Sequence, residues 1–352
     1  MKNQNNHNVN FTPISKEEKR KLKQKITNSI YSYVKRRKAI KHGIAFTAVA
    51  ASIIVLFSIN LYNTSKTDLS PIEVFAKTMN QKEVPKNIQL ILNNKQGIEI
   101  ADSNSTISYS NSGDEVTIGT SQSITQDHNN SVFNTLIVPY GKRSEISLSD
   151  GSKVWLNSGS KLIFPATFEG KNRIVYLEGE GIFKVTHNKS QPFIVKTGNH
   201  NIEVLGTLFN VTNYTDENTV STVLKSGSVQ LNFKSNSFLN SDGSIKITPG
   251  TLAVYNRDEK HIKTQTVDTE AYFSWRDGIL IFKNDSLQSI MKKISRYYNV
   301  EIIIQDTALA NETFSGYLDV KENIESVIQI IKETETSKFE YYLTKDNKLI
   351  IN

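Results

Sequence analysis

The chain has 352 residues, with 42 basic and 35 acidic side chains, a net charge of +7 and no cysteine. The lack of cysteine excludes disulfides, zinc–thiolate sites, thiol nucleophiles and a lipid anchor on cysteine. The basic excess is confined to residues 1–42, which carry 12 basic and 2 acidic side chains, whereas residues 63–352 carry 30 and 33. Because that excess lies on a short tail and not on a folded domain, direct nucleic-acid binding is not predicted.

Residues 1–42 are predicted to be a short basic cytoplasmic tail that contains one amphipathic helix. Ser15-Lys-Glu-Glu is typical of a capping box at a helix start. Apolar side chains then recur at four-residue intervals, which predicts one apolar helix face: Leu22, Ile26, Ile30 and Val34. This face is either an inner-leaflet surface or a docking stripe for a cytoplasmic partner.

Residues 43–62, GIAFTAVAASIIVLFSINLY, are uncharged and contain no proline. A helix of this length spans ~30 Å, which is the thickness of the hydrocarbon layer of a bilayer. The flank 23–42 holds seven Lys or Arg and the flank 63–82 holds three, so the N-terminus is predicted to be cytoplasmic. A cleaved signal peptide is the alternative, but its basic leader would be far shorter than this tail. The chain is therefore predicted to be a single-pass membrane protein.

Residues 63–131 are predicted to be a linker followed by a short β-rich segment. A short helix is expected over 71–79, and strand-like runs begin at Ile88. Residues 132–262 continue as strands of four to six residues separated by Asp-Gly and Ser-Gly turns. This pattern predicts an all-β domain, and it does not distinguish between a sandwich, a roll and a short solenoid.

Residues 270–352 have a different period, in which strands alternate with two amphipathic helices. Leu287, Ile290, Met291, Ile294 and Tyr298 mark one helix, and Ile324, Val327, Ile328 and Ile331 mark the other. The predicted order β-α-β-β-α-β-β is that of a small α+β domain with its helices packed on a sheet.

Candidate chemistry is sparse, and neither a cofactor site nor an enzyme is predicted. Gly206-Thr207 is either a glycine bend before a strand or a bond that the threonine hydroxyl attacks in self-cleavage. Asp150 lies in a predicted Asp-Gly turn, and Glu178 and Glu180 flank Gly179 in another, so turn roles are favoured over a glycosidase pair. The six histidines have no metal-ligand spacing, and the sequence has no glycine-rich phosphate loop.

Several long motifs in order resemble the FecR family, whose members are membrane-anchored regulators of extracytoplasmic-function sigma factors. In the β-rich region they are Val138–Ser144, Leu148–Pro165, Val175–Val185 and Val204–Val211. Residues 270–352 resemble the C-terminal domain common in Bacteroidetes members, through Tyr272–Gly278 and Ile294–Val300. That domain is similar to the signalling domain of secretins and TonB-dependent receptors.

The resemblance implies an inner-membrane relay with most of the chain in the periplasm. The signalling domain of a TonB-dependent outer-membrane receptor would contact the outer part, and the tail would act on the sigma factor as an inhibitor or a co-activator. Many relatives have a cytoplasmic domain of ~80 residues; here the tail has 42, so the contact would rest on Leu22, Ile26 and Ile30. Receptor contact through a free strand edge is expected at one of two places: Phe314, Gly316 and Leu318, or Leu349 and Ile351.

Two other functions compete with this interpretation. A membrane-anchored periplasmic glycan-binding or adhesive module would bind glycans and have no sigma partner. A tethered hydrolase would lose turnover when Glu178 or Glu180 is replaced, but no paired catalytic site is evident in the sequence.

Overall fold

The computed structural model describes residues 15–64, 69–79, 85–93, 97–101, 106–120, 122–126, 133–198, 200–234, 242–333 and 339–352. They form two compact units, Met1–Asp68 and Leu69–Asn352. The predicted tail residues 1–14 and parts of the predicted linker lie outside the described residues.

The first unit contains one long helix, α1 (Lys16–Thr64). The predicted capping box begins it, because the Ser15 amide donates to Glu18 Oε2 (3.1 Å) and the Glu18 amide donates to Ser15 Oγ (3.2 Å). The predicted membrane segment 43–62 lies within α1. In the part of the chain that is described, no helix has both the length and the apolar character that crossing a membrane requires.

The second unit begins with helix α2 (Pro71–Thr78), which confirms the short helix expected there. Pro71 occupies its first turn, where a missing N–H costs nothing. The Ser70 amide donates a hydrogen bond to Glu73 Oε2 (3.0 Å), which completes a capping box. Ile72 and Ala76 are buried against Ile163, so α2 covers one face of the sheet that follows.

Residues 88–266 form eighteen strands of one continuous sheet that curls into two packed layers. Sheet 1 has the order β2-β1-β6-β9-β10-β11-β12-β15-β16, and sheet 2 has the order β5-β4-β3-β7-β8-β10-β13-β14-β17-β18. The strands are β1 Ile88–Ile91, β2 Ile98–Ile100, β3 Thr106–Tyr109, β4 Glu115–Ile118, β5 Gln122–Thr125, β6 Phe133–Val138, β7 Ser144–Ser147, β8 Lys153–Leu156, β9 Ser160–Pro165, β10 Arg173–Lys184, β11 Phe193–Lys196, β12 His200–Val204, β13 Leu208–Asn213, β14 Thr219–Ser226, β15 Val229–Lys234, β16 Asp242–Ile247, β17 Thr251–Asn256 and β18 His261–Thr266.

Strand β10 joins the two layers because it bends at Gly179. Its first half pairs with β9 and β11 in sheet 1, and its second half pairs with β8 and β13 in sheet 2. Gly179 has φ +92°, and a Cβ there would lie 2.4 Å from Ser160 Oγ, so only glycine fits. The predicted turn between Glu178 and Glu180 is therefore wrong: a glycine bends the strand without ending it.

The main core lies between the inner faces of the two sheets. Phe183 and Phe209 stack with ring centroids 5.2 Å apart on sheet 2, and Phe193 of sheet 1 contacts Phe183 across the layers. All three rings are fully buried. Buried and less buried residues alternate along β11 and the first half of β10, as the two-residue period of a strand requires. Contact between the inner faces of the two sheets resolves the three all-β alternatives in favour of two packed layers.

The C-terminal region has the predicted strand and helix order with short helical additions. Helix α3 (Glu270–Phe273) and a 3-10 turn (Ser274–Asp277) lead into two small sheets, β19-β21 and β20-β23-β22. The remaining elements are β19 Ile279–Ser286, α4 Leu287–Tyr298, β20 Glu301–Ile304, α5 Thr307–Asn311, β21 Thr313–Asp319, α6 Ile324–Glu333, β22 Tyr341–Leu343 and β23 Lys348–Ile351.

This C-terminal domain packs on the outer face of sheet 2. Ile182 and Val223 point away from the main core and share a second core with Trp275, Phe282 and Leu287. Neighbouring residues of the same strands, such as Phe183 and Leu224, point into the main core. Sheet 2 is therefore apolar on both faces. The C-terminal domain buries the outer face and so removes its apolar side chains from water.

Candidate functional site

The junction between sheet 2 and the C-terminal domain contains a partly buried carboxylate, Glu180. The bend at Gly179 places Glu180 on the outer face of sheet 2. Its two oxygens accept hydrogen bonds from the side-chain amides of Asn157 (2.8 Å) and Asn210 (3.0 Å). Burial raises the pKa of Glu180, and the two amides oppose that rise because they stabilise the ionised form.

A charged cluster around Arg296 joins helix α4 to the segment after β13. Arg296 is 7% exposed, and its Nη2 lies 2.9 Å and 3.0 Å from the two oxygens of Asp216. Its Nη1 lies 2.7 Å from Glu217 Oε1, and its guanidinium stacks over the Tyr214 ring at 3.6 Å. Burial alone would raise the pKa of Asp216, but the Arg296 charge lowers it below the ordinary value.

A second arginine, Arg143, connects the β6–β7 loop to the same domain. It donates to the Trp275 carbonyl and to the Tyr297 hydroxyl (3.2 Å), and its guanidinium lies 4.9 Å from the centre of the Tyr297 ring. The Gly141 amide donates to the Arg296 carbonyl (2.9 Å). Two arginines from opposite sides of the junction therefore hold the domains in one arrangement.

A cavity of about 440 Å³ lies within this junction. Sheet 2 contributes Glu180, Thr212 and Ser221, and the C-terminal domain contributes Tyr272, Trp275 and the first turns of α4. Cavities of this size between domains are common places for small ligands.

The predicted receptor-contact residues Phe314, Gly316 and Leu318 lie on strand β21. This strand pairs only with β19 in a two-stranded sheet, so its other edge has no strand partner among the described residues. The Tyr317 side chain is 79% exposed, and a Cβ added at Gly316 would have no atom within 4 Å. This edge therefore has the open backbone groups that an incoming strand pairs with.

The free edge predicted at Leu349 and Ile351 is wrong. Strand β23 is the centre of its sheet, parallel to β20 on one side and antiparallel to β22 on the other. Leu349 and Ile351 are fully buried in the second core. Leu349 and Ile351, two apolar residues at alternate positions, belong to a buried central strand. A strand at the end of the chain is not necessarily at the edge of its sheet.

The predicted sigma-contact residues Leu22, Ile26 and Ile30 lie on one face of α1. Their exposed fractions are 54%, 52% and 59%. Three large aliphatic side chains in a row with this exposure leave an apolar stripe uncovered.

The Gly206-Thr207 bond is tightly packed between β12 and β13. A Cβ at Gly206 would lie 2.5 Å from His187 Nδ1, which explains the glycine without any catalytic role. Thr207 Oγ1 donates to the Ser228 carbonyl (3.0 Å). Gly206 is not among the residues with positive φ, so the backbone has no left-handed strain there. Self-cleavage at this bond stays a prediction.

The other candidate side chains have structural partners. Asp150 Oδ2 lies 2.6 Å from Nη1 of the buried Arg173, and Glu178 Oε2 lies 2.7 Å from Lys161 Nζ. Burial lowers the pKa of His200 to about 4, so that ring is neutral. Over the described residues, no group of three or more His, Asp and Glu side chains has the geometry of a metal site.

The sequence interpretation did not identify the residues that build the junction. Arg296 lies inside the quoted Ile294–Val300 motif, but its partners Asp216 and Glu217 are 80 and 79 residues away in a polar loop. The local sequence signal is only an arginine in the last turn of an amphipathic helix, and its burial is visible in the structure alone. Arginine is almost never buried without a charged partner, but the sequence does not indicate which residue that partner is.

Comparison with known proteins identifies both domains. Residues 134–230 match the family described as FecR protein, and residues 279–351 match the family described as FecR, C-terminal. Comparison with curated proteins gives no match.

Two crystal structures of a candidate anti-sigma factor from Parabacteroides distasonis ATCC 8503, at 1.65 Å and 2.50 Å resolution, have a similar fold. Each is 24% identical to this chain, with a TM-score of 0.55, over 62% of this chain and 98% of the other. At this identity the likeness concerns the fold alone. The two family matches show that residues 134–230 and 279–351 belong to the FecR family, as its FecR domain followed by its C-terminal domain.

Proposed function

We propose that this chain is a single-pass inner-membrane regulator of an extracytoplasmic-function sigma factor. The observation that carries the proposal is the presence of both FecR domains behind a long helix with an uncovered apolar stripe. The similar fold of the candidate anti-sigma factor supports the same role.

The membrane anchor is assigned to residues 43–62, with the tail in the cytoplasm and the FecR domains in the periplasm. Within that segment, Ile53 to Phe57 and Ile59 are exposed apolar side chains that follow one another around the helix. A helix that is apolar all round needs an apolar environment on every side. The basic flank at 23–42 supports the orientation.

The sigma factor is assigned to the stripe of Leu22, Ile26 and Ile30. An amphipathic helix binds in a partner's groove through apolar anchors one turn apart, and these three residues have that spacing. Binding of a TonB-dependent receptor to the periplasmic part then controls the tail only if it favours one state of the whole chain over another.

The test is binding of the full chain in detergent to the sigma factor encoded beside it. Leu22→Glu with Ile26→Glu places two charges in the apolar contact and should weaken binding at least ~10-fold. Gln24→Glu with Asn28→Glu adds the same charge on the opposite helix face and should bind as the wild type does.

Two outcomes would contradict the proposal. The first is equal binding by both double variants, which would exclude the stripe. The second is unchanged transcription of the sigma factor's target genes after deletion of this chain, which would exclude the regulatory role.

A further inference from the structure

The junction cavity is lined by both FecR domains. Its volume of about 440 Å³ falls within the range of small-molecule sites. One wall is the outer face of sheet 2, and the opposite wall is β19 and the first turns of α4. A molecule held there would touch both domains at once.

The charged side chains of the cavity are already paired within the protein. Arg296 is held by Asp216 and Glu217, and Lys292 Nζ lies 3.6 Å from Asp216 Oδ2. Both oxygens of Glu180 accept an amide hydrogen bond. A charged ligand would compete with these contacts, and separating the buried Arg296 from its carboxylates is costly.

Some of the neutral polar side chains of the cavity are not engaged in this way. Four of them line the cavity, and their side chains have no hydrogen-bond partner within the described part of the chain: Ser221, Tyr272, Gln288 and Ser289. A hydroxyl or a carboxamide can both donate and accept. The Tyr272 and Trp275 rings lie beside them and add flat apolar surface.

We propose that this cavity binds a neutral carbohydrate of one or two sugar units. Sugar hydroxyls donate and accept in the same way as the four free side chains, and the C–H face of a sugar ring suits an aromatic side chain. The absence of net charge leaves the Arg296 and Glu180 contacts intact. Because both domains line the cavity, the bound sugar stabilises their packed arrangement.

The experiment uses the full chain in detergent with D-glucose, D-galactose, N-acetyl-D-glucosamine and maltose as probes. The comparison probes are inorganic phosphate, which is an anion, and glycine, a zwitterion with one positive and one negative group; both carry formal charges and are of similar or smaller size. We expect at least one sugar to bind with a dissociation constant below about 1 mM by calorimetry. At saturation it should raise the melting temperature by ~3 °C or more, whereas the charged probes leave it unchanged.

Variants locate the binding. Gln288→Ala with Ser289→Ala removes two free polar groups that hold no structural hydrogen bond through their side chains, so the fold should persist and affinity should fall at least ~10-fold. Ser289→Phe fills the cavity and should abolish binding. Gln305→Ala, an exposed glutamine outside the cavity, is the matched control and should bind normally.

Three results would overturn the proposal: no binding by any of the four sugars, preferential binding of glycine or phosphate, or sugar binding that both cavity variants retain. The measurement does not involve the sigma factor. Failure of the sugar-binding proposal is therefore distinguishable from failure of the proposed regulatory role.

Discussion

At the residue scale, Arg296 connects the two FecR domains through several contacts at once. A guanidinium can make a two-point contact with one carboxylate, a further contact with another and a stacking contact with a ring. Arg296 makes all of these, with Asp216, Glu217 and Tyr214. Lysine has a single charged nitrogen and could not reproduce them.

Replacing Arg296 with Met should lower the free energy of unfolding by roughly 2 kcal/mol, because two carboxylates lose their partner while half of the Asp216 side chain stays in water. Chemical denaturation of the purified chain measures this loss. Lys292→Met removes an exposed contact to the same Asp216 and should cost less than about 0.5 kcal/mol. Equal losses of unfolding free energy in the two variants would show that the buried contact stabilises the fold no more than the exposed one.

The Arg296 effect should depend on pH in a defined direction. The pKa of Asp216 is lowered in the folded state, so its contact stabilises the fold above the ordinary carboxyl pKa of 3.8. That stability is lost as pH falls through the lowered value. The difference between wild type and Arg296→Met should therefore be full at pH 7 and shrink towards pH 3.

At the element scale, strand β21 has a free edge whose backbone groups can be identified. The Val320 amide donates to the Gly278 carbonyl (3.0 Å), and the register pairs Leu280 with Leu318 and Phe282 with Gly316. In an antiparallel ladder the bonded positions alternate. The amides of Leu318 and Gly316 therefore face β19, and the Tyr317 amide faces the open edge.

Tyr317→Pro should weaken binding of the receptor's signalling domain at least ~10-fold, because it removes the donor that an added strand would use. Tyr317→Ala is the control, since it keeps the amide and removes only the exposed ring. Gly316→Pro is a poor test because it would break the ladder to β19. Undiminished affinity of the proline variant would exclude pairing at this edge.

At the scale of the whole molecule, the two FecR domains are expected to unfold together because sheet 2 belongs to two cores. Ile182 and Val223 pack against the C-terminal domain, while Phe183 and Leu224 pack against sheet 1. Separation of the C-terminal domain would expose the apolar outer face of sheet 2. A movement of one FecR domain would therefore disturb the packing of the other.

Ile182→Asp should uncouple the two domains, because it buries an unpaired charge in the shared core. Calorimetry should then change from one transition to two, and trypsin should cut faster within 257–263, where Arg257, Lys260 and Lys263 lie. Ile182→Val is the control and should cost about 1 kcal/mol with a single transition retained. A single transition in the Asp variant would contradict the coupling.

The sequence by itself determined the elements whose cause is local. The capping box of α1, the α2 helix, the short strands and the helix order of the C-terminal domain all follow from spacing, caps and turns within a few residues. Only tertiary structure decided the rest. The bend of β10 at Gly179, the central place of β23 and the contacts of Arg296 with Asp216 and Glu217 depend on which distant strands pair. An apolar pattern in the sequence predicts that a side chain is buried, but which distant segment buries it depends on packing across the whole fold.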